Sequence, residues 1–141
     1  MLQRYLRAWE AADVAAMERL VAPGFEHFVN GRWEDRDGLI ARVRESDSVL
    51  TERRFEVDTV VVEGSTIACR CRLIGRHTGP MPVPPPFSAL LGLERIEATL
   101  REATMSGMIV AEIEDGRLVS GYGEWDRLGL LTQMIEAAAG E

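Results

Sequence analysis

The sequence has few cysteines, and this shortage excludes two kinds of site. Cys69 and Cys71 are the only cysteines in the chain. Two thiols that lie two residues apart on one strand have poor geometry for a mutual disulfide. Two cysteines without a histidine-rich partner segment also cannot complete a zinc site. We interpret both as small apolar residues of the core.

Basic charge and long apolar segments are also scarce. The chain has 16 basic and 23 acidic residues, a formal net charge of -7 and a pI near 4.9, which argues against a phosphate-binding surface and a nucleic-acid partner. No apolar run approaches the roughly 20 residues that cross a bilayer. The segment Met1–Glu10 lacks the basic start and apolar core of a signal peptide. We therefore expect a cytoplasmic protein that does not bind membranes.

The patterns that are present predict a single α+β domain over residues 1–141. Apolar residues recur at helical spacing in the first fifty residues, and Asp13 is placed to cap the second of three helices. From Arg53 onward the apolar period changes to two, which is typical of strands. Helices followed by antiparallel strands favour a curved antiparallel or mixed sheet with the helices on its concave face, enclosing a cone-shaped apolar pocket.

Two histidines fall on apolar strand faces. His77 ends a strand from Thr66 whose inward set is otherwise apolar, and His27 shares a side with Phe25 and Val29. An inward histidine is either a hydrogen-bonded core residue or a catalytic one. Trp33 is expected in the core or in the pocket wall. Two histidines and a carboxylate can form an iron site, but nothing in the spacing requires one.

Near the C-terminus, Asp115-Gly116 predicts a tight hairpin turn. Regular alternation beyond this turn places Leu118 on the same face as Tyr122, Glu124 and Asp126. Asp126 is then either a base facing an apolar cavity, where burial raises a carboxylate pKa, or the N-cap of the helix that follows. Glu124, roughly 7 Å away along the strand, is either a second acid or a solvated edge charge.

A proline-rich loop precedes a segment, residues 87–103, that predicts a short amphipathic helix or an elaborated hairpin. We expect this segment to act as a lid-like insertion at the mouth of the pocket. The insertion is thus expected to influence which substrate enters the pocket.

Four segments spread over almost the whole chain carry a family pattern: Trp9-Glu10-Ala11-Ala12-Asp13, Val62-Glu63-Gly64, Gly75-Arg76-His77-Thr78-Gly79, and Glu114-Asp115-Gly116-Arg117-Leu118-Val119 running into Trp125-Asp126-Arg127-Leu128-Gly129-Leu130-Leu131-Thr132-Gln133. In them the chain resembles the SnoaL-like polyketide cyclases, also called predicted ester cyclases, of the nuclear-transport-factor-2-like superfamily. The chain departs from that family in its insertion and in Tyr122, where tryptophan is more common.

The resemblance implies a homodimer or larger homo-oligomer whose cavity binds a small hydrophobic molecule. It implies ring closure of a polyketide-like substrate by intramolecular aldol condensation, without metal or organic cofactor. Asp126 matches the acid–base carboxylate of the family, and His77 and His27 fall where members have pocket histidines. We therefore expect Asp126 and His77 to be catalytic. The expected substrate-binding residues are His27, Tyr122, Glu124 and Trp33.

The same cone also suits other activities. An isomerase, a dehydratase or an epoxide hydrolase would use the same carboxylate on a different substrate. A small-molecule-binding dimer would need no catalytic residue at all. The fold alone does not choose among these functions.

Overall fold

Three helices form the first part of the computed structural model, which describes residues 1–140. They are α1 (Leu2–Glu10), α2 (Val14–Leu20) and α3 (Arg36–Glu45). Asp13 Oδ1 accepts a hydrogen bond of 2.9 Å from the Ala16 amide, which confirms the predicted cap of α2. Asp35 Oδ1 accepts a hydrogen bond of 2.9 Å from Gly38 N in the same way, so Asp35 caps α3.

Six strands form one mixed sheet. In spatial order they are β2 (Arg32–Asp35), β1 (Val21–Val29), β8 (Arg117–Trp125), β7 (Glu102–Glu114), β4 (Thr66–His77) and β3 (Leu50–Glu63). Every neighbouring pair is antiparallel except β1 and β8, which run parallel. The sheet curves around the helices without closing into a barrel, because β2 and β3 do not pair. This confirms the predicted α+β fold.

The hairpin between β7 and β8 turns at Asp115 and Gly116, whose φ values are +48° and +73°. Both residues therefore adopt the left-handed conformation that an Asp-Gly turn supplies. Two residues further on, the register shifts, because Ile113 pairs with Leu118 whereas Glu112 pairs with Ser120. The extra residue in β8 is a β-bulge. Beyond it the alternation of β8 is reversed.

Two apolar clusters fill the concave side. The first joins the three helices to β1 and β8 and includes Met17, Leu39 and Val43, all fully buried. The second lies under α5 (Arg127–Ala139) and contains Leu131 and Met134. Between these two clusters the sheet and the helices leave a cavity.

The segment 87–103 folds as both predicted alternatives together. It forms a helix, α4 (Phe87–Leu91), and a strand, β6 (Arg95–Ile96), that pairs with β5 (Met81–Pro82). Its buried side chain Ile96 packs in the cluster under α5. The lid role of this segment stays a prediction, because the residues that line the cavity come from elsewhere in the chain.

Within residues 1–140, the helices are too short or too polar to span a bilayer.

Candidate functional site

The cavity between helices and sheet consists of two neighbouring chambers. Tyr5, His27 and Ile109 border both of them. The larger chamber spans about 620 Å³ of empty space, including open solvent at its mouth, and its apolar wall comes mainly from Trp9, Phe55, Leu73, Met105 and Trp125. The smaller chamber is lined mainly by apolar side chains of α1, β1, β4, β7 and β8. A mostly apolar cavity with a few polar groups is typical of small-molecule sites.

On its polar side the larger chamber is lined by Tyr5, His27, Arg42 and Arg127, and Glu34 links His27 to Arg42. His27 and Glu34 are opposite each other in the β1–β2 hairpin, and His27 Nε2 lies 2.6 Å from Glu34 Oε1. Arg42 of α3 donates from Nε to Glu34 Oε2 and from Nη2 to Glu34 Oε1, both at 2.7 Å. Such bidentate pairing fixes the carboxylate in position. The carboxylate in turn orients the imidazole.

The ionisation of Glu34 follows from these contacts. Burial raises the pKa of Glu34, but hydrogen bonds from His27 and Arg42, together with their charges, outweigh burial and lower its pKa to about 2. Glu34 is therefore a carboxylate at neutral pH. Because that carboxylate accepts from Nε2, the Nδ1 atom of His27 is the ring nitrogen left without a protein partner among residues 1–140.

Aromatic side chains hold the rest of this wall in place. The Arg42 guanidinium lies 5.1 Å from the centroid of the Trp9 ring, a cation–π contact. Trp9 meets Tyr5 edge to face at 6.5 Å. Burial raises the pKa of Tyr5, so its hydroxyl keeps its proton. Tyr5, which lines both chambers as His27 does, is thus a hydrogen-bond donor.

Trp125 is positioned by the turn that joins β1 to β2. Asn30 Nδ2 donates to Trp125 O at 2.8 Å, and Trp125 N donates to Asn30 Oδ1 at 2.7 Å. The indole then lies over Gly107 of β7, where a Cβ atom would be only 2.2 Å from Trp125 Cε3. Gly107 therefore gives the ring its place in the chamber wall.

Asp126 lies outside this cavity. Its side chain is exposed, and Oδ1 accepts a hydrogen bond of 2.8 Å from Gly129 N. A Cβ atom at Gly129 would lie 2.3 Å from Asp126 Oδ2. The Asp-x-x-Gly spacing thus fits an N-cap of α5, the alternative that the sequence left open. The expectation that Asp126 faces the pocket is wrong.

Tyr122 and Glu124 are also misplaced by the sequence pattern. Gly121 and Gly123 are buried, whereas Glu124 is exposed and Tyr122 is 57% exposed, although the strand at Tyr122 borders both chambers. Their side chains therefore point to the convex side. The reason is the β-bulge, which reverses the alternation that was counted from Leu118.

Trp33 lies on the convex side as well. It is 67% exposed and packs edge to face on Phe28 at 5.2 Å. It does not line the two chambers.

His77 is buried, but away from the chambers. Its Nδ1 accepts from Thr99 N at 3.3 Å and lies 3.1 Å from Thr99 Oγ1, while Nε2 has no hydrogen-bond partner in residues 1–140. Burial lowers the pKa of His77. Asp126 and His77 thus do not meet in one cavity. Of the six candidate residues, His27 is the one whose side chain the structure places in the chamber wall.

Four residues of the site were missed from the sequence: Tyr5, Arg42 and Arg127, which line the larger chamber, and Glu34, which bonds to His27 and Arg42. For Glu34 a signal was present, because the Asn30-Gly31 turn brings residue 34 opposite residue 27. For Arg42 and Arg127 no local signal existed, since helix packing alone brings them to the cavity. No group of three metal-ligating side chains occurs within residues 1–140.

Comparison of the fold with solved structures gives three informative neighbours. AclR from Streptomyces galilaeus, a proposed hydroxylase, superposes with a TM-score of 0.77 at 13% identity, covering 96% of this chain and 92% of that chain. IdmH from Streptomyces antibioticus, a proposed polyketide cyclase, gives 0.75 at 19% identity and 94% coverage of both chains. TsrD from Streptomyces laurentii gives a TM-score of 0.73 at 25% identity, covering 94% of this chain and 90% of that chain.

Among curated proteins, none matches the sequence. The family model of the SnoaL-like polyketide cyclases, in contrast, matches residues 1–134. That match spans the helices, the whole curved sheet and most of α5, so it includes every residue of the polar wall. The chain therefore belongs to the SnoaL-like polyketide cyclase family.

Proposed function

We propose that the protein is an enzyme that removes a proton next to a carbonyl group of a small, mostly apolar molecule, and that it closes a ring by intramolecular aldol condensation. The observation that carries this proposal is the His27–Glu34–Arg42 chain, in which His27 and Arg42 line a mostly apolar cavity. A base in an enolisation needs a free lone pair, a fixed orientation and a neighbouring anion that stabilises its protonated form.

His27 supplies the base in this mechanism. Its Nδ1 takes the proton from the carbon beside the carbonyl, and the carbonyl oxygen becomes an enolate. Glu34 stabilises the imidazolium that forms, because it is already ionised and hydrogen-bonded to Nε2. Tyr5, a protonated donor on the same wall, hydrogen-bonds the enolate oxygen.

Ring closure then needs no further group. The enolate carbon forms a bond to a second carbonyl carbon of the same molecule, and the oxygen of that carbonyl becomes an alkoxide. The proton held on His27 Nδ1 passes to the alkoxide, which restores the neutral imidazole. The apolar wall keeps the folded substrate out of water and so favours the encounter of its two ends.

This assignment differs from the one that the family resemblance implies, in which Asp126 is the acid–base residue. The exposed position of Asp126 and its hydrogen bond to Gly129 N favour His27. The two assignments make opposite predictions for two conservative variants, His27→Gln and Asp126→Asn.

The first half of the reaction can be assayed without the natural substrate. 2-Tetralone, an aromatic ketone with acidic protons beside its carbonyl, is incubated with the protein in D₂O, and loss of the C1 proton signal is followed by NMR. General bases contribute about 10²- to 10⁴-fold, so we expect His27→Gln to lower the enzyme-dependent rate at least about 100-fold. Asp126→Asn should retain most of it.

Two results would speak against the proposal. If His27→Gln keeps the exchange rate of the wild type and Asp126→Asn loses it, Asp126 is the base. Binding of 2-tetralone without enzyme-dependent exchange would favour the non-catalytic alternative, a small-molecule-binding module.

A further inference from the structure

Arg127 is a charged residue of the cavity that the mechanism above does not use. It is the first residue of α5, it lines the larger chamber together with His27 and Arg42, and it is half-buried. Among residues 1–140 its guanidinium has no ion pair and no hydrogen bond to the protein. A buried charge is normally paired, and an arginine cannot become neutral by losing its proton.

The charges around Arg127 make this lack of a partner more costly. Burial lowers the pKa of Arg127, and the nearby cations Arg42 and Arg32 lower it further, whereas Glu34 alone raises it. The oxygens of Glu34 are already taken by Arg42 and His27. The chamber wall itself therefore holds two guanidiniums, Arg42 and Arg127, and the one carboxylate near them, Glu34, is engaged by Arg42 and His27, in a chain whose net charge is -7.

The helix position does not compensate for the charge. A cation at the first residue of a helix faces the positive end of the helix dipole, where an anion is favoured. Asp126 is adjacent in sequence, but its carboxylate caps α5 through Gly129 N and forms no ion pair with Arg127. The chamber thus presents a guanidinium that a bound anion would stabilise.

We propose that the substrate carries a carboxylate, and that Arg127 binds this carboxylate while the apolar body of the substrate fills the chamber. A guanidinium matches a carboxylate with two parallel N–H···O bonds. The other walls of the chamber are aromatic and aliphatic, which fits a hydrophobic, preferably aromatic, body with one acidic end. The proposal rests on the proposed function only in taking this cavity as the substrate site.

Isothermal titration with matched probes tests the proposal. 2-Naphthoate and methyl 2-naphthoate share one aromatic body and differ in the negative charge. We expect the wild-type protein to bind the naphthoate at least about tenfold more tightly than the ester. Added salt should weaken binding of the naphthoate and leave binding of the ester nearly unchanged, because salt screens the ion pair.

Three variants test whether Arg127 causes the preference for the naphthoate over the ester. Arg127→Gln should abolish the preference, because it weakens binding of the naphthoate and leaves binding of the ester unchanged. Arg127→Lys keeps the charge without the fork-shaped donor and should retain part of the preference, which also serves if Arg127→Gln does not fold. Arg4→Gln, at an exposed position of α1, is the control and should leave both affinities unchanged.

The proposal is overturned if the wild-type protein binds the two probes equally, does not bind naphthoate, or keeps its preference in a folded Arg127→Gln variant. Failure of the proposed function has a different signature. If 2-tetralone is not exchanged but the naphthoate preference depends on Arg127, the acid–base mechanism fails and the carboxylate site stands. His27→Gln should keep the preference in either case.

Discussion

Replacement of Glu34 by glutamine is expected to destabilise the protein more than the same kind of replacement at any exposed charged residue. The variant Glu34→Gln keeps the shape of the side chain but leaves the Arg42 guanidinium opposite a neutral amide. Glu34 has a side-chain exposure of 19%, so solvent screens its contacts only in part. A pKa lowered from 4.5 to about 2 corresponds to about 3 kcal/mol of stabilisation of the charged form in the folded state.

The pH dependence follows from the sign of this shift. Because the folded-state pKa lies below the unfolded-state value, the stabilisation is fully present above about pH 4.5. It is lost as the pH falls through about 2, below which both states are protonated. The free-energy difference between wild type and Glu34→Gln should therefore be about 2–3 kcal/mol at pH 7 and should shrink steadily below pH 4.5.

Urea unfolding of both proteins, followed by circular dichroism between pH 7 and pH 3, measures this difference. Glu102→Gln is the matched control, because Glu102 pairs with Arg54 at 3.3 Å but has a side-chain exposure of 63%. An exposed pair contributes less than about 1 kcal/mol. Equal losses for the two variants, or a loss for Glu34→Gln that does not change with pH, would refute the electrostatic reasoning.

Two further variants test the packing that shapes the site. Gly107→Ala should destabilise the protein by about 1–3 kcal/mol, since the new methyl group meets the Trp125 ring. Gly24→Ala is the control, because its new methyl group meets open space and should cost less than about 0.5 kcal/mol. Urea unfolding measures both costs, and equal costs would contradict the packing of Trp125 on Gly107. Gln133→Leu should cost about 1–2 kcal/mol, because Gln133 pairs with both Thr104 N and Thr104 O, and faster amide exchange at Thr104 would verify the loss.

Where local chemistry determines structure, the sequence was sufficient. The Asp115-Gly116 hairpin and the Asp13 cap follow from side-chain and backbone preferences within a few residues, and both are present. The fold class followed from the order of helical and strand patterns. Each of these features depends on neighbours in the chain rather than on distant packing.

The faces of β8 show why the site was harder to predict. One extra residue in this strand, between Leu118 and Ser120, turns Tyr122 and Glu124 to the convex side. A bulge has no reliable sequence signal, and a single shift of alternation exchanges the two faces of the strand. This missed shift is the reason why the expected acid–base residues were predicted to face the cavity.

The residues that do meet in the cavity come from distant parts of the chain. His27 and Glu34 lie on one hairpin, but Arg42 reaches them from a helix and Arg127 from the last helix of the chain. Their association depends on how helices pack on the sheet, which a single sequence does not reveal. Three charged residues in different patterns gave no sign of a common site.

The most direct test of the mechanism is the ratio of deuterium-exchange rates of Asp126→Asn and His27→Gln with 2-tetralone. Both proteins are first shown to be folded by circular dichroism, and the uncatalysed rate is subtracted. If His27 is the base, the ratio should be at least about 100. A ratio below one would contradict this account and assign the base to Asp126.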